Sequence, residues 1–422
     1  MPLSFPFTQP DAYQPEALAR NYDALHSSGV SSLREQTTGL YAIWKYDDVE
    51  QILKGADDSV SNKTTLNPLT PMARFAANPA AWPSLAHLVT VPAATANAHG
   101  QQHEEVRRAV FAQGGLSLRL DATTLAFGEL IARRAQAAAD DLASRGGATN
   151  DFAAVFARPL AAGVISAIVG FGAQDEWRVQ QWSDAQTALL GRPLDRRGQK
   201  VGVRGLSDLS RACRALAKAR AASPASDLAS HLLAHGLDVR RAGATLMNIM
   251  AAGYSTSYGT LLNSMRFLLS AEGRSWWDGL AHEDSLPDLV TELIRVETGL
   301  IGWKRLAAKD VRLSDGTLIP AGSQMLLMLG AANRDPDRFT EPHRIRRDRA
   351  ERKEPKPLTF GTGPHLCLGR EVARAEISVA LSVLRHRFPG MVLQPPTGWF
   401  RYDPDYLFRT PVSLPVRVHG ED

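Results

Sequence analysis

Cys367 is the residue of this chain best placed to do chemistry. It sits in Phe360-Gly361-Thr362-Gly363-Pro364-His365-Leu366-Cys367-Leu368-Gly369, a glycine-rich loop that runs straight into a helical pattern. Three glycines let the backbone turn tightly and lie against something flat or bulky. A sulfur at the start of a helix faces orphan N–H groups and the positive end of the dipole, which favours the thiolate. Held this way it is a nucleophile or a metal ligand. The competing reading is a buried, inert cysteine, and Cys213 has only that plain helical setting in Arg211-Ala212-Cys213-Arg214. Two cysteines in 422 residues exclude a disulfide framework and an all-cysteine zinc site.

The elements that must position this loop are mostly helical. Gly39–Tyr46 reads as a strand and Asp47–Lys54 as a short helix capped by Asp47. Ser59 to Ala98 carries five prolines and reads as irregular, and Gln101 to Leu269 is mainly helical. No proline falls between Pro224 and Pro287, so Asp238 to Glu272 is predicted as one helix, capped by Asp238 and stopped by Gly273. At 1.5 Å per residue it spans about 50 Å. A helix at Asp288–Glu297 follows, then strands over Leu306–Leu329 with a turn at Asp315-Gly316. The chain closes with a helix from about Leu368 to Arg387 and strands at Tyr406–Leu407 and Val412–Val418. The expected class is mainly α with minor β (α+β). No Gly/Ser linker or internal repeat divides residues 1–422, so one domain is expected.

Composition excludes several functions. Lys plus Arg is 48 against 44 for Asp plus Glu, a net +4 that is too small over this length to argue for nucleic acid. The N-terminus lacks a basic, apolar leader, and no window approaches the roughly 20 apolar residues of a membrane span. A cytoplasmic, monomeric protein that touches no membrane is expected.

At each fixed position (Phe360, Gly361, Gly363, His365, Cys367 and Gly369) the loop resembles the haem-binding signature of the cytochrome P450 family. Other segments resemble the family in the same order. Glu292-Leu293-Ile294-Arg295 matches its Glu-x-x-Arg helix, and Phe339 to Arg344 looks like the meander that adds a third, buried member, here Arg344. That resemblance implies a structural triad of Glu292, Arg295 and Arg344, tolerable in a core only when fully paired. His103-Glu104-Glu105-Val106-Arg107 resembles the His-x-x-x-Arg that reaches a haem carboxylate, with Arg305 and His365 as further partners. Ala252-Gly253-Tyr254-Ser255-Thr256 lines up with the Ala-Gly-x-acid-Thr motif over the distal haem face. There Gly253 implies close approach to the cofactor, and Thr256 can bond back to Ala252 to open an oxygen-holding groove.

Two departures stand out. Ser255 replaces the usual acid and is a poor proton donor at neutral pH, so proton relay through water or substrate is expected. The proline common near Thr298 and Gly299 is absent, and Leu300, Ile301, Gly302 and Trp303 are expected at the substrate, Gly302 leaving space above the haem. The irregular Ser59–Ala98 region, the helices around Trp177–Leu190, the distal helix near Asn248 and the turn at Thr410 complete the expected pocket.

The resemblance implies the P450 fold with a long distal helix, haem b on the Cys367 thiolate, and a monooxygenase that uses O2 to oxidise a small organic, specialised-metabolite substrate. Electrons would come from a ferredoxin and its reductase, since the haem domain takes up the whole chain. Other oxidation on the same scaffold, such as ring coupling or nitration, is the nearest alternative. A non-catalytic haem sensor is the alternative of another class, and a cysteine hydrolase the third. From His343 to Lys356 there are seven Lys/Arg and three Asp/Glu. That run, with Arg108 and Arg370, is either a solvated loop or a docking face for an acidic partner.

Overall fold

The proline-free stretch forms one helix, Val239–Leu268, of 30 residues and about 45 Å. Asp238 caps it, its carboxylate accepting from the amides of Arg240 and Arg241 at 2.8 Å each. It ends before the expected Glu272. The Ser270 hydroxyl donates to the carbonyl of Phe267 at 2.6 Å, and Gly273 caps the next short helix instead.

A computed structural model of the chain describes residues 10–35, 39–55, 60–61, 78–83, 100–112, 122–280, 286–394 and 400–418. Its helices in chain order are α1 (Pro15–His26), α2 (Tyr46–Lys54), α3 (Gly100–Phe111), α4 (Ala122–Ser144), α5 (Arg158–Val169), α6 (Glu176–Gly191) and α7 (Arg196–Ala222). They continue with α8 (Leu228–Ala234), the long α9 (Val239–Leu268), α10 (Arg274–Gly279), α11 (Leu286–Val296), α12 (Leu329–Ala332) and α13 (Arg370–Arg387). Helix α9 packs against α5, α6, α7 and α13. Its residues from Tyr254 to Leu268 are buried almost all round, as a helix through the centre of a core requires.

The strands are short: β1 (Ser32–Arg34), β2 (Tyr41–Ile43), β3 (Val60–Ser61), β4 (Thr149–Asp151) and β5 (Trp303–Ala307), then β6 (Val311–Arg312), β7 (Leu318–Ile319), β8 (Gln324–Leu327), β9 (Val392–Leu393) and β10 (Pro415–Arg417). One sheet has the order β1-β2-β8-β5-β3, with β2 and β8 parallel and the other pairs antiparallel. A second is β4-β10-β9, and β6-β7 is the hairpin expected around Asp315-Gly316. The C-terminal region is less regular than expected. Tyr406–Leu407 forms no strand, and only the bridges Leu300–Phe408 and Tyr402–Pro411 precede β10. Most of Ser59–Ala98, read from sequence as irregular, lies outside the described residues. Among those described, no helix is long and apolar enough to cross a membrane.

The buried charges correct one expectation. Glu292 and Arg295 pair on α11 as their spacing requires, at 2.7 and 2.9 Å. The third member is Arg349, not Arg344: Arg349 Nε donates to Glu292 Oε2 at 2.7 Å. The Arg344 side chain is 73% exposed and pairs with Glu341, while its carbonyl alone accepts from Arg295 and Arg349. The meander thus offers a backbone oxygen at 344 and a guanidinium five residues later. A second buried set joins Glu297 to Arg266 at 3.0 Å and to Arg409 at 2.9 Å. Burial pushes the Glu297 carboxyl up, but Arg266, Arg409 and Arg334 outweigh it and hold its pKa at about 2. Arg349→Ala removes one of the two guanidiniums on Glu292, Arg295 remaining, and is expected to cost about 1.5–3 kcal/mol in urea unfolding, whereas Arg344→Ala is expected to stay within about 0.5 kcal/mol.

Candidate active site

The Cys367 loop is built from two single turns, Leu358–Phe360 and Gly363–His365, before α13 starts at Arg370. Gly361 and Gly363 take φ of 69° and 70°. At Gly363 a Cβ would also lie 2.8 Å from Lys54 Cα, so the end of α2 backs the loop at backbone contact. The Cys367 amide donates to the Phe360 carbonyl at 2.9 Å, closing the loop under the sulfur. Burial pushes the Cys367 thiol up; the Gly369 amide, Arg370 and Arg107 pull it down without overcoming burial. The helix start alone therefore does not make the expected thiolate, and a cation bound at sulfur would have to displace the proton. Cys213 lies fully inside the main apolar core, its thiol raised by burial with no group to lower it.

A cavity of about 280 Å³ opens on Cys367. His103 and Arg107 from α3, Arg305 from β5 and His365 from the loop share its wall, so the sequence-predicted cationic set does converge. The His103 and His365 rings are 3.9 Å apart, and Arg107 donates to the Leu366 carbonyl at 2.9 Å. Arg305 is 5% exposed and donates to the Lys304 carbonyl at 2.8 Å. Among the described residues no carboxylate pairs with it, and burial lowers its pKa to about 10. Among those residues, too, no cluster of three His, Cys, Asp or Glu could hold a metal by itself. One thiol plus buried cations fits a flat group that brings its own metal donors and its own carboxylates. Phe360, Gly361 and Gly369 border the same space.

On the opposite wall α9 presents Ala252, Gly253 and Thr256. Thr256 Oγ1 donates to the Ala252 carbonyl at 2.7 Å, as expected. Gly253 has a packing reason of its own, because a Cβ there would come within 2.7 Å of Ile165 Cδ1 on α5. Ser255 corrects the reading of the acid position. It points away from the cavity, buried, with its hydroxyl 2.7 Å from that of Thr187 on α6. One residue along a helix turns the side chain by about 100°, which separates the two roles.

Of the six residues expected at the substrate, three lie on the cavity wall. Asn248, Leu300 and Trp303 line the cavity. Ile301 instead turns into a separate core with Tyr13, Tyr22 and Trp44. A Cβ on Gly302 would meet the Tyr406 carbonyl at 2.9 Å, so that glycine serves chain packing and leaves no space above the cavity. Thr410 lies beside Gly259 of α9, outside the lining. Sequence reasoning missed Val164, Ile165 and Ile168 of α5, Phe408, and Glu376, while Gln186, Thr187 and Leu190 of α6 fall in the expected Trp177–Leu190 stretch. Glu376 stands in the Val372, Glu376, Ala380 stripe of α13, and a carboxyl at an apolar-stripe position was the available signal. Burial raises its pKa to about 8 despite a hydrogen bond from Ser257.

Fold and site together define a haem-thiolate oxygenase. The sequence model of the cytochrome P450 family matches residues 277–395. The chain is 33% identical over 283 residues to nocardicin C N-oxygenase of Nocardia uniformis subsp. tsuyamanensis, covering 65% of this chain and 68% of that protein. It is 31% identical over 327 residues to mycinamicin IV hydroxylase/epoxidase of Micromonospora griseorubida, covering 75% and 77%. Among solved structures, cytochrome P450 CREJ in complex with (4-ethylphenyl) dihydrogen phosphate superposes with a TM-score of 0.85 at 21% identity, covering 99% of both chains. The chain belongs to the cytochrome P450 family, and it is a P450 monooxygenase whose cofactor is cysteine-ligated haem b.

Cys367→Ser is expected to abolish the thiolate signature of the reduced carbon-monoxide spectrum, and Cys213→Ser to leave that spectrum unchanged. Glu376 gives a pH test. Burial holds its folded pKa at about 8, against an ordinary glutamate value of 4.5, so its contribution to stability is complete below the lower value and lost as pH rises through the higher. In denaturant unfolding, Glu376→Gln is expected to fall off less steeply than the parent between those two pH values.

Proposed function

We propose that this monooxygenase oxidises an uncharged, largely apolar small molecule, a specialised metabolite, with electrons from a separate ferredoxin and its reductase. The observation that carries the substrate reading is the wall facing Cys367. Among the described residues the lining includes the apolar Val164, Ile165, Ile168, Leu300, Trp303 and Phe408, with Gln186, Thr187 and Asn248 as polar members; of its charged residues, Arg107 and Arg305 are assigned to the haem carboxylates and burial favours the neutral form of Glu376. A carboxylate placed there would lose its water without gaining a cation. Gln186 Oε1 is buried and accepts no hydrogen bond among the described residues. An unmet acceptor of this kind costs about 1–3 kcal/mol, so a ligand O–H or N–H reaching it is favoured.

Bound haem supplies the iron at which O2 is activated for transfer of one oxygen atom. The protein groups divide the remaining work. Cys367 ligates, and Arg107, Arg305, His103 and His365 anchor the carboxylates. Thr256 holds a hydroxyl one helical turn from Ala252, where it can pass a proton by water, since Ser255 faces α6. The α5, α6 and Leu300–Trp303 walls exclude bulk water and orient the substrate.

For the ferredoxin the support is a reduced form of the basic run. Arg344, Arg346, Arg349 and Arg352 are committed to ion pairs, and Arg347 lies over Trp276 at 4.7 Å. Lys353 and Lys356 stay exposed, as does Arg108 on α3, whose neighbour Arg107 touches the Cys367 loop.

The substrate reading is tested by spin-state titration with three probes: 4-phenylbutan-1-ol, its methyl ether and 4-phenylbutanoate. The alcohol is expected to bind tightest and the carboxylate weakest, and Gln186→Leu to erase the gap between alcohol and ether. Tightest binding by the carboxylate would contradict it. For the partner, Arg108→Glu or Lys353→Glu is expected to slow the first electron transfer from an acidic ferredoxin at low salt. The effect should fade as the Debye length falls below about 8 Å. An unchanged rate across the salt range would return the run to a solvated loop.

A further inference from the structure

The missing proline and the oxygen-side groove of α9 meet at a single side chain. Thr260 lies one turn beyond Thr256, and its hydroxyl donates to the Thr256 carbonyl at 2.8 Å. Two successive threonines thus bond back by four residues, Thr256 to Ala252 and Thr260 to Thr256. Such hydroxyls are ordinarily free to rotate, and each competes with the helix amide for the same carbonyl.

Thr260 is not free to rotate. Its oxygen accepts the Gly299 amide at 2.9 Å, from the segment that joins α11 to β5. With that amide on its lone pair, the single hydroxyl hydrogen is directed at the Thr256 carbonyl. Thr260 is 6% exposed, so water offers it little alternative.

The backbone contact explains the residue types. A Cβ on Gly299 would lie 2.8 Å from Thr260 N and 2.9 Å from Gly259 C, so glycine at 299 lets the two chains touch. Proline there would carry a ring into that contact and would lack the N–H that Thr260 accepts. The residue after this clip, Leu300, lines the cavity, its amide donating to Thr298 Oγ1 at 3.1 Å.

We infer that Thr260 is a positioning residue for Thr256: clipped by the Gly299 amide, it pins the Thr256 carbonyl and so fixes the groove in α9. Thr260 does not line the cavity and takes no part in the chemistry itself. The inference rests on the proposed proton-handling role of Thr256, which the experiment tests alongside it.

The test compares Thr260→Val, which keeps the shape and loses the hydroxyl, with Thr260→Ser, which keeps the hydroxyl, and with Thr256→Ala. Amide exchange at Gly299 is read on the haem-loaded protein by NMR or mass spectrometry. The fraction of NADH consumption released as peroxide is read with a surrogate ferredoxin and 4-phenylbutan-1-ol. Thr260→Val is expected to speed Gly299 exchange roughly three- to tenfold and to raise peroxide release toward that of Thr256→Ala. Probe affinity is expected to change by less than about twofold, since no group touching the ligand is altered. Thr260→Ser should restore slow exchange and coupling together. Wild-type coupling in Thr260→Val beside a strongly uncoupled Thr256→Ala would overturn the inference. So would equal uncoupling in the Val and Ser variants, because packing and not the hydroxyl would then be responsible. If Thr256→Ala itself stays coupled, the role given to Thr256 falls, and the role of Thr260 with it.

Discussion

A guanidinium buried without a carboxylate beside it is the constraint on which this site depends. Four of the other buried arginines meet that cost with a carboxylate, while Arg334 donates to the Val296 carbonyl at 2.6 Å and lies within the field of Glu297. Arg295 and Arg349 share Glu292, and Arg266 and Arg409 share Glu297, each pair of cations closing on one carboxylate. Arg305 is buried to the same degree and, among the described residues, is given only a backbone carbonyl. An unpaired buried charge is tolerated when something else completes it. Its position on the wall of the Cys367 cavity, with Arg107 and two histidines, identifies what completes it as an anionic group bound there.

The paired clusters and the unpaired one act together. The Glu292 set ties α11 to the meander that leads into the Cys367 loop, and the Glu297 set ties the end of α11 to α9 and to the C-terminal segment. Helix α9 is thereby held at its buried half, while Ala252 and Thr256 face the cavity. The loop is fixed from the other side, where Gly363 meets the backbone of α2. Ligand and groove are thus set by separate elements that converge on one space.

Legibility from sequence followed the kind of physics involved. The Cys367 loop, the 103/107 spacing and the cap at Asp238 could be read because each is a local pattern with one geometric outcome. Asn248, Leu300 and Trp303, expected at the pocket from the family resemblance, line the cavity. Ser255 could not be read, since motif position fixes a helix residue but not which of two packed faces its hydroxyl meets. Arg344 failed for a related reason: in an irregular meander, which of several arginines turns inward is decided by tertiary contacts. Ile301, Gly302 and Thr410 went astray because which residues of these irregular segments face the cavity is decided by long-range contacts, the bridge of Leu300 to Phe408 among them. Glu376 was visible in principle as a carboxyl in an apolar stripe, and the Thr260–Gly299 contact was not, since it joins residues 39 apart.

The most direct test of this account is the rate at which haem leaves the protein, compared for native haem and for haem whose two carboxylates are methyl esters. If the Arg305 cluster is completed by those carboxylates, the ester is expected to dissociate at least roughly tenfold faster from the parent protein, in line with lost charge-assisted hydrogen bonds. In Arg305→Leu much of that difference should disappear. Equal loss of haem and its ester from the parent protein would contradict the account at its base, leaving the buried charge of Arg305 unexplained.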